Sequence, residues 1–243
     1  MTAIDTAMVL AAGLGSRLRP LTNVTPKPLV KVAGRSLLDR GLDQLVLAGV
    51  TKAVINVSHL GDQIIEHCAS ITTPEMIVSD ERSGLLDSAG GIVNALPDLG
   101  QNPFYILNAD TFWVDAHGAA LSGLAALFDD TKMDIALLLV GPENAIGHSG
   151  SGDFTVEADG RLQRAKGEAR VEAPIYAGAG ILHPRIFKAA KANPHSLNVY
   201  FDRAISEGRL FGHIMNCPWI TVGTPEGLAE AEAAVQHIEA ARA

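Results

Sequence analysis

The feature that most constrains the fold of this chain is an apolar stretch that passes directly into a glycine-rich loop. Residues 7–12 read Ala-Met-Val-Leu-Ala-Ala, which is the pattern of a buried strand, and Gly13 and Gly15 follow at once. The cations of the next segment fall within fifteen residues and are Arg17, Arg19, Lys27 and Lys31. Glycine lets backbone N–H groups approach an anion, and neighbouring cations neutralise its charge. The segment therefore suits a polyphosphate bound at the end of a strand.

Two common phosphate-binding motifs do not account for this loop. A Walker loop has a lysine directly after its last glycine, and no lysine follows these glycines at that spacing. A Rossmann loop has a third glycine that opens a helix, whereas Leu18 stands there and Pro20 follows. Because the prolines of Pro26-Lys27-Pro28 fix φ and disfavour helix, we expect Lys27 to lie on a stiff, extended segment.

Strands and helices alternate over the first 140 residues. Apolar runs predict strands at residues 7–12, 53–57, 76–78, 104–107 and 135–140. Apolar residues at helical spacing predict helices between them, including residues 89–96 and 121–128. This alternation predicts an α/β fold with a Rossmann-like, mostly parallel mixed sheet flanked by helices. Ligands bind beyond the carboxyl ends of such strands.

From about Gly141 the pattern changes to short strands and glycine-rich turns. Segments at 153–157 and 160–162 predict antiparallel strands around a turn, and residues 176–182 predict another strand. The remaining predicted elements are helices at 184–192, at 198–207 and from Pro225 to the end, with Thr224 as N-cap, and a strand at 219–222. We expect this half to fold onto the same sheet, as part of one domain over residues 1–243.

Composition limits the classes of partner. The 243 residues are 47% hydrophobic and carry a net charge of −8, whereas nucleic-acid binders more often have a basic balance. We therefore expect no nucleic-acid partner. No apolar run of eighteen residues and no leader at Met1–Asp5 is present, so we expect no membrane partner and a cytoplasmic protein. Cys68 and Cys217 form neither a disulfide framework nor a zinc site.

The first loop resembles the signature of sugar-1-phosphate nucleotidyltransferases. That signature is L-A-A-G-x-G-x-R-L-x-P-L-T-x-x-x-P-K-P-L, and every fixed position of it is present from Leu10 to Leu29. Residues 219–226, Trp-Ile-Thr-Val-Gly-Thr-Pro-Glu, are similar to the family's Trp-x-Asp-Val-Gly-Thr-Pro-Glu. The resemblance implies a GT-A-like fold, without the C-terminal β-helix that some members carry.

In this family, an oxygen of a sugar 1-phosphate attacks the α-phosphorus of a nucleoside triphosphate, and pyrophosphate leaves. The resemblance implies that Arg17 and Lys27 are catalytic: Arg17 contacts the triphosphate, and Lys27 contacts the α-phosphate and the transition state. Such catalysis depends on alignment and on neutralising developing charge. The nucleotide-binding residues that it implies are Leu10, Ala11, Ala12, Gly13, Gly15, Asp87, Ser88, Gly90 and Asn108. Glu81 and Asp87 are candidates to accept hydrogen bonds from a base edge or a ribose hydroxyl.

Asp110 is the candidate metal ligand. It follows the apolar run at 104–107, and it resembles the family's Gly-Asp metal motif with Ala109 in place of glycine. Magnesium prefers one or two carboxylates plus substrate oxygens, so we expect Asp110 to hold Mg²⁺. The family's second metal aspartate is Thr221 here, and a neutral hydroxyl binds Mg²⁺ more weakly. Either Asp110 and substrate oxygens hold the metal alone, or another acid such as Asp153 substitutes, or activity is reduced.

The sugar-binding residues that the resemblance implies are Asp153, Lys166, Gly178 and Gly180. The nucleotide-binding part would then span about residues 1–140 and the sugar-binding part about residues 141–224. The substrates that we prefer are UTP and N-acetylmuramic acid 1-phosphate, in peptidoglycan recycling, because Gly152-Asp153-Phe154 and the Trp-x-x-Val-Gly-Thr segment favour them.

Other readings of the sequence stay open. GTP with mannose 1-phosphate is the second pair of substrates, and a phosphocholine-like acceptor is a third choice. A sugar-nucleotide-binding subunit that has lost catalysis is an alternative of another class, which the substitution at Thr221 allows. The oligomeric state, monomer or dimer, is also open.

Overall fold

The computed structural model describes residues 4–115 and 117–241. Its strands are β1 (Thr6–Leu10), β2 (Lys31–Val32), β3 (Arg35–Ser36), β4 (Lys52–Val57), β5 (Glu75–Asp80), β6 (Phe104–Asn108), β7 (Thr111–Trp113), β8 (Ile135–Val140), β9 (Ala145–Ile146), β10 (Phe154–Val156), β11 (Leu162–Arg164), β12 (Ile175–Leu182), β13 (Leu210–Met215) and β14 (Trp219–Thr221). Its α-helices are α1 (Leu37–Leu47), α2 (Gly61–Ala69), α3 (Asp87–Leu99), α4 (Ala119–Leu127), α5 (Asn198–Ser206) and α6 (Pro225–Ala240).

Local sequence accounts for several of these elements. The run Ile-Ala-Leu-Leu-Leu-Val of β8 is buried throughout, as a strand covered on both faces requires. The hydroxyl of Ser36 accepts a hydrogen bond from the N–H of Asp39 and caps α1. The predicted cap of α6 is confirmed, because the Thr224 hydroxyl accepts from the N–H of Gly227. The last residues of the predicted terminal helix, 242–243, lie outside the described part of the chain.

The central sheet has seven strands in the order β13-β8-β12-β6-β1-β4-β5. β1 pairs in parallel with β4 and with β6, β4 with β5, and β8 with β13. Only β12 runs against its neighbours, β6 and β8. The predicted mostly parallel mixed sheet is therefore confirmed. Strands of the second half of the chain, β8, β12 and β13, belong to the same sheet as those of the first half.

Helices pack on both faces of this sheet. Alternate residues of a strand point to opposite faces, so Ala7 and Val9 of β1 join one apolar cluster while Met8 joins the other. The first cluster contains residues of α1, α2 and α4, and the second contains residues of α3 and α5. A smaller cluster fastens α6 to the first loop through residues such as Leu18 and Val235. The result is a three-layer α/β arrangement.

The pairing register brings three strand ends to one edge of the sheet. Leu10, the last residue of β1, is the register partner of Asn56 in β4 and of Asn108 in β6. The N–H of Ala109 donates to the carbonyl of Leu10 at 3.1 Å, so the pairing continues past the end of β6. The glycine-rich loop and Asp110 therefore leave the sheet side by side.

A second, three-stranded sheet brings the C-terminal motif to the same edge. Its order is β7-β14-β9, and Thr111 of β7 is the antiparallel register partner of Thr221 of β14. The N–H of Val222 donates to the carbonyl of Asp110 at 3.1 Å. Asp110 thus stands between the central sheet and the segment that resembles the family's Trp-x-Asp-Val-Gly-Thr motif.

Some predicted elements are wrong. Residues 184–192 do not form the expected helix: only Pro184–Phe187 form a 3₁₀ turn, and Ala189 has φ +63°, which is incompatible with a right-handed helix. Strand β13 was not predicted, because Gly212 and His213 interrupt its apolar pattern. The predicted hairpin is confirmed, with β10 antiparallel to β11.

No helix within residues 4–115 and 117–241 is both long and apolar enough to cross a membrane.

An ion-pair cluster at the start of β8 generates a prediction on stability. Asp134 is 8% exposed, and its carboxylate lies 2.6 Å from Nε of Arg185 and 3.0 Å from Nε of Arg209. Removing one partner of a buried ion pair leaves the remaining charges uncompensated, and this destabilises the folded state. Because both arginines are partly exposed, we expect Asp134→Ala to lower the free energy of unfolding by about 2 kcal/mol, measured by urea denaturation.

Lys132→Ala is the matched control, since Lys132 pairs with Asp129 at the surface of the same region. We expect its urea midpoint to stay within experimental scatter of the unmodified protein. Equal effects of the two substitutions would contradict the anchoring role of Asp134.

Candidate active site

The backbone of the first loop depends on Gly15. This residue has φ +60°, and a Cβ there would come within 2.9 Å of Cγ2 of Thr22. The Thr22 hydroxyl donates to the carbonyl of Gly15 at 2.8 Å, and Leu18 is buried beneath the loop. Gly15 thus shapes the loop, while Gly13 lines the cavity beside it.

The Pro26-Lys27-Pro28 segment corrects one expectation. Lys27–Leu29 form a 3₁₀ turn rather than an extended segment. The φ of proline suits a first helical turn as well as an extended chain, and the N–H that Pro28 lacks would have no partner there. The turn holds the Lys27 side chain 12% exposed, with its Nζ 2.8 Å from Oδ2 of Asp110. The predicted catalytic lysine and the predicted metal ligand are therefore in direct contact.

A buried polar network supports the loop from below. The N–H of Ala11 donates to Oδ1 of Asn56 at 2.7 Å, and Nδ2 of Asn56 donates to Oε1 of Glu81 at 2.8 Å. The other oxygen of Glu81 accepts from the N–H of Leu86 at 3.1 Å. Glu81 is 1% exposed, so it acts as a link between the first loop and the loop before α3. Sequence reasoning missed Asn56, although a polar residue at the end of an apolar strand was a usable signal.

Glycine is required where α3 meets this network. A Cβ at Gly91 would lie 2.5 Å from Oε1 of Glu81 and 2.7 Å from Nδ2 of Asn56. A Cβ at Gly90 would lie 2.2 Å from the carbonyl oxygen of Asn193. The close approach at Gly90 is thus to the segment before α5, and Gly90 is not among the residues that line the cavity at this edge of the sheet.

A cavity of about 290 Å³ opens above the network at the carboxyl ends of β1, β4 and β6. Its lining comes from the first loop, the 3₁₀ turn, the loop before α3 and the end of β6: Leu10, Ala11, Ala12, Gly13, Lys27, Pro28, Asn56, Glu81, Leu85, Asp87, Ser88, Asn108, Ala109 and Asp110. Most of the residues that sequence analysis assigned to nucleotide binding therefore meet at one cavity.

Asp87 has an unusual backbone at the edge of this cavity. Its φ is +59°, its side chain is exposed, and its Oδ1 accepts from the N–H of Ser88 at 2.5 Å. A non-glycine residue with positive φ carries strain and is more frequent at functional sites. The hydroxyl of Ser88 instead accepts from the N–H of Leu197 at 2.9 Å, so its hydrogen bond joins α3 to the segment before α5.

Arg17 lies apart from the cavity lining. It is exposed, and a Cβ at Gly223, in the loop between β14 and α6, would be 3.6 Å from its Nη2. Its guanidinium thus stands beside the C-terminal motif, on the Thr221 side of Asp110.

The residues predicted to bind sugar lie in two environments. Gly178 has φ +77°, and a Cβ there would be 2.8 Å from Oγ1 of Thr111, so β12 comes very close to the chain beside Asp110. Gly180 is in the sheet interior, where a Cβ would be 2.8 Å from the carbonyl of Ala136. Close packing accounts for both glycines. Lys166 is exposed at the end of the hairpin.

Asp153 and Tyr176 are joined on this side. Oδ2 of Asp153 accepts from the backbone N–H of Tyr176 at 2.9 Å. The Tyr176 hydroxyl is buried and has no hydrogen-bond partner among the described residues. Burial raises the pKa of Tyr176, and the charges of Asp110 and Asp153 raise it further, so the hydroxyl stays protonated. Sequence analysis did not single out this tyrosine.

Comparison with known proteins identifies the family of this chain. Residues 6–237 match the model of the nucleotidyl transferase family. An N-acetylmuramate alpha-1-phosphate uridylyltransferase from Caulobacter vibrioides is 40% identical over 231 residues, covering 93% of this chain and 95% of the relative. A mannose-1-phosphate guanyltransferase beta-B from Xenopus laevis is 28% identical over 236 residues, covering 90% of this chain and 61% of the relative.

A solved structure shares the fold. HddC from Yersinia pseudotuberculosis, complexed with GMP-PN, superposes with a TM-score of 0.76 at 22% identity, and the match covers 96% of this chain and all of the other. The signature loop, the Asp110 edge and the match over residues 6–237 together establish that this chain belongs to the nucleotidyl transferase family, among relatives that are sugar-1-phosphate nucleotidyltransferases.

Proposed function

We propose that this protein transfers a uridylyl group from UTP to N-acetylmuramic acid 1-phosphate, giving the UDP-sugar and pyrophosphate. One observation carries the catalytic part of the proposal: Lys27 and Asp110 meet at 2.8 Å beside a glycine-rich loop, and both line the cavity of about 290 Å³. The choice of substrates rests on the 40% identity to the uridylyltransferase of Caulobacter vibrioides, which extends over nearly the whole of both chains.

The reaction needs alignment and charge neutralisation. An oxygen of the sugar phosphate bonds to the α-phosphorus while the bond from that phosphorus to the bridging oxygen of the β-phosphate breaks. Lys27 would contact the α-phosphate, where negative charge shifts during transfer, and the loop N–H groups would face the other phosphate oxygens. Arg17 is a permanent cation beside Gly223, and we assign it to the triphosphate.

The donor set at Asp110 fits a divalent metal. Asp110 is a partly exposed carboxylate at the cavity, and Mg²⁺ is commonly held by one or two carboxylates together with substrate phosphates. We propose Mg²⁺ as the cofactor, with Asp110 as its protein ligand. When bound, the ion would offset the negative charge of the phosphates.

We propose a division of roles between the two halves of the chain. Residues of about 1–140 would bind the nucleotide, supported by the Asn56–Glu81 network under the first loop. Residues of about 141–224 would bind the sugar, with Asp153 as the candidate acceptor for sugar hydroxyls. We place the reaction in peptidoglycan recycling in the cytoplasm, where UTP is available.

One observation favours the second pair, GTP and mannose 1-phosphate. The Asp87 carboxylate is exposed at the cavity, and guanine presents two neighbouring N–H donors that a carboxylate can accept together. Uracil presents only one N–H donor on its base edge.

Pyrophosphate release should distinguish these functions. We expect the largest kcat/KM for UTP with N-acetylmuramic acid 1-phosphate when UTP, GTP, CTP, ATP and dTTP are each combined with several sugar 1-phosphates and Mg²⁺. A larger value for GTP with mannose 1-phosphate would replace the proposed function by the second one. Nucleotide binding with no turnover for any pair would support the non-catalytic subunit.

Substitutions at the Lys27–Asp110 pair test the assigned roles. We expect Lys27→Ala and Asp110→Asn each to lower kcat/KM at least about tenfold, because the first removes the cation assigned to the α-phosphate and the second removes the carboxylate assigned to the metal. Lys31→Ala is the matched control, since Lys31 is an exposed lysine of the same segment, on β2, and we expect its activity to stay near normal. Circular dichroism would establish that each variant is folded. Near-normal turnover in Lys27→Ala or Asp110→Asn would overturn the role of that residue.

A further inference from the structure

The first loop is held from the side by His59, in the connection between β4 and α2. Its Nε2 lies 2.9 Å from the backbone carbonyl oxygen of Thr22. A carbonyl oxygen can only accept a hydrogen bond, so Nε2 carries the proton and donates it. The next residue, Leu60, has φ +53°, a conformation that is unfavourable for a residue with a side chain and is more frequent at functional sites. This connection therefore merits a functional explanation.

Thr22 joins the two 3₁₀ turns of the first loop. Its side chain is fully buried, and its hydroxyl donates to the carbonyl of Gly15 at 2.8 Å. The same carbonyl accepts from the N–H of Leu18 at 2.9 Å, and this bond closes the turn that carries Arg17. A shift of Thr22 would therefore also move the turn of Arg17.

Lys27 packs against the same point of the loop. A Cβ at Gly15 would lie 2.9 Å from Cγ2 of Thr22 and 3.2 Å from Cβ of Lys27, so these three residues are in close contact. In such close packing, a displacement of one member is transmitted to the others. The positions of both Arg17 and Lys27 thus depend on where Thr22 is held.

The end of β4 therefore supports the loop at two places. Asn56, near the end of this strand, fixes the start of the loop through the N–H of Ala11. His59, just after the strand, fixes the middle of the loop through the carbonyl of Thr22.

From these contacts we infer that His59 is a positioning residue for nucleotide binding, which acts through Thr22 on Arg17 and Lys27. The inference rests on the proposed function, because that function assigns both cations to phosphates of the nucleotide. His59 itself contacts no substrate in this role.

Kinetics with varied nucleotide concentration test the inference. His59→Leu removes the donor, and we expect the KM for UTP to rise at least about fivefold, which is the effect of losing one hydrogen bond. The KM for the sugar 1-phosphate should stay within about twofold of its normal value. His59→Gln keeps an N–H donor at a similar distance from the backbone, and we expect it to restore the KM for UTP. A folding defect would instead lower the active fraction, and hence kcat, without a selective change in one KM.

Gln63→Ala is the matched control. Nε2 of Gln63, on α2, donates to the carbonyl of Val24 at 2.9 Å, so this variant also removes a hydrogen bond between this region and the loop. Both residues are exposed, and water can replace the bond. We therefore expect a KM for UTP close to that of the unmodified protein.

Amide hydrogen exchange of the ligand-free protein measures the support of the loop without turnover. We expect a peptide covering residues 13–25 to exchange at least about fivefold faster in His59→Leu than in the unmodified protein, because the loop opens more often. Exchange of this peptide in His59→Gln should remain close to normal.

Four results would overturn the inference: an unchanged KM for UTP in His59→Leu, equal increases in His59→Leu and His59→Gln, an equal increase in Gln63→Ala, or unchanged exchange of the loop in His59→Leu. Failure of the proposed function looks different. If the unmodified protein does not turn over UTP, the choice of nucleotide is wrong, but the exchange measurement still decides whether His59 holds the loop. The KM comparison is then made with the nucleotide that is turned over.

Discussion

Parallel pairing of β1 with β6 is the constraint on which the rest of the site depends. It sets Leu10 opposite Asn108, and a further hydrogen bond from Ala109 to Leu10 keeps the two chains together past the last strand residue. The first loop, which follows β1, and Asp110, which follows β6, therefore leave the sheet at the same level along the strands. Lys27 and Asp110 are 83 positions apart in sequence, and this register brings them to 2.8 Å.

The second requirement is that the loop keeps its shape when no ligand is bound. The Asn56–Glu81 network provides this by fixing the Ala11 N–H from below and the Leu86 N–H from the side. The Glu81 carboxylate is buried and accepts hydrogen bonds from neutral donors. Neither a lost hydrogen bond nor an additional atom beside it can be accommodated without cost. Gly91 satisfies that condition because any side chain there would collide with both network members. The residue at position 91 therefore has to fit both the hydrogen-bond network under the first loop and the close packing of α3.

The sequence was sufficient for the α/β class, for the parallel order implied by alternation, and for the meeting of the first loop with Asp110. These follow from local periodicity and from where parallel strands end. The 3₁₀ turn at Lys27–Leu29 was missed because proline φ is compatible with two backbone states, and only tertiary contacts choose between them. Strand β13 was missed because Gly212 and His213 interrupt its apolar pattern, and Asn56 was missed although it ends an apolar strand. The burial of the Tyr176 hydroxyl depends on long-range packing that one sequence does not encode locally. Gly90 shows the same limit, since its close neighbour is the carbonyl of Asn193, more than a hundred residues later.

The antiparallel strand of the central sheet, β12, reaches the cavity edge differently from its neighbours. Because β12 runs against β6, it presents its beginning, not its end, at the edge where β1 and β6 terminate. Residues 175–178 therefore reach this edge directly from residues 165–174, the connection between β11 and β12, without passing through the first loop. Insertions, deletions or substitutions in that connection can then remodel the side of the site that we assign to the acceptor, while the register of β1 and β6 stays intact. Under the proposed function, such an architecture would allow the range of acceptors to diversify over evolutionary time while the residues assigned to nucleotidyl transfer stay in place.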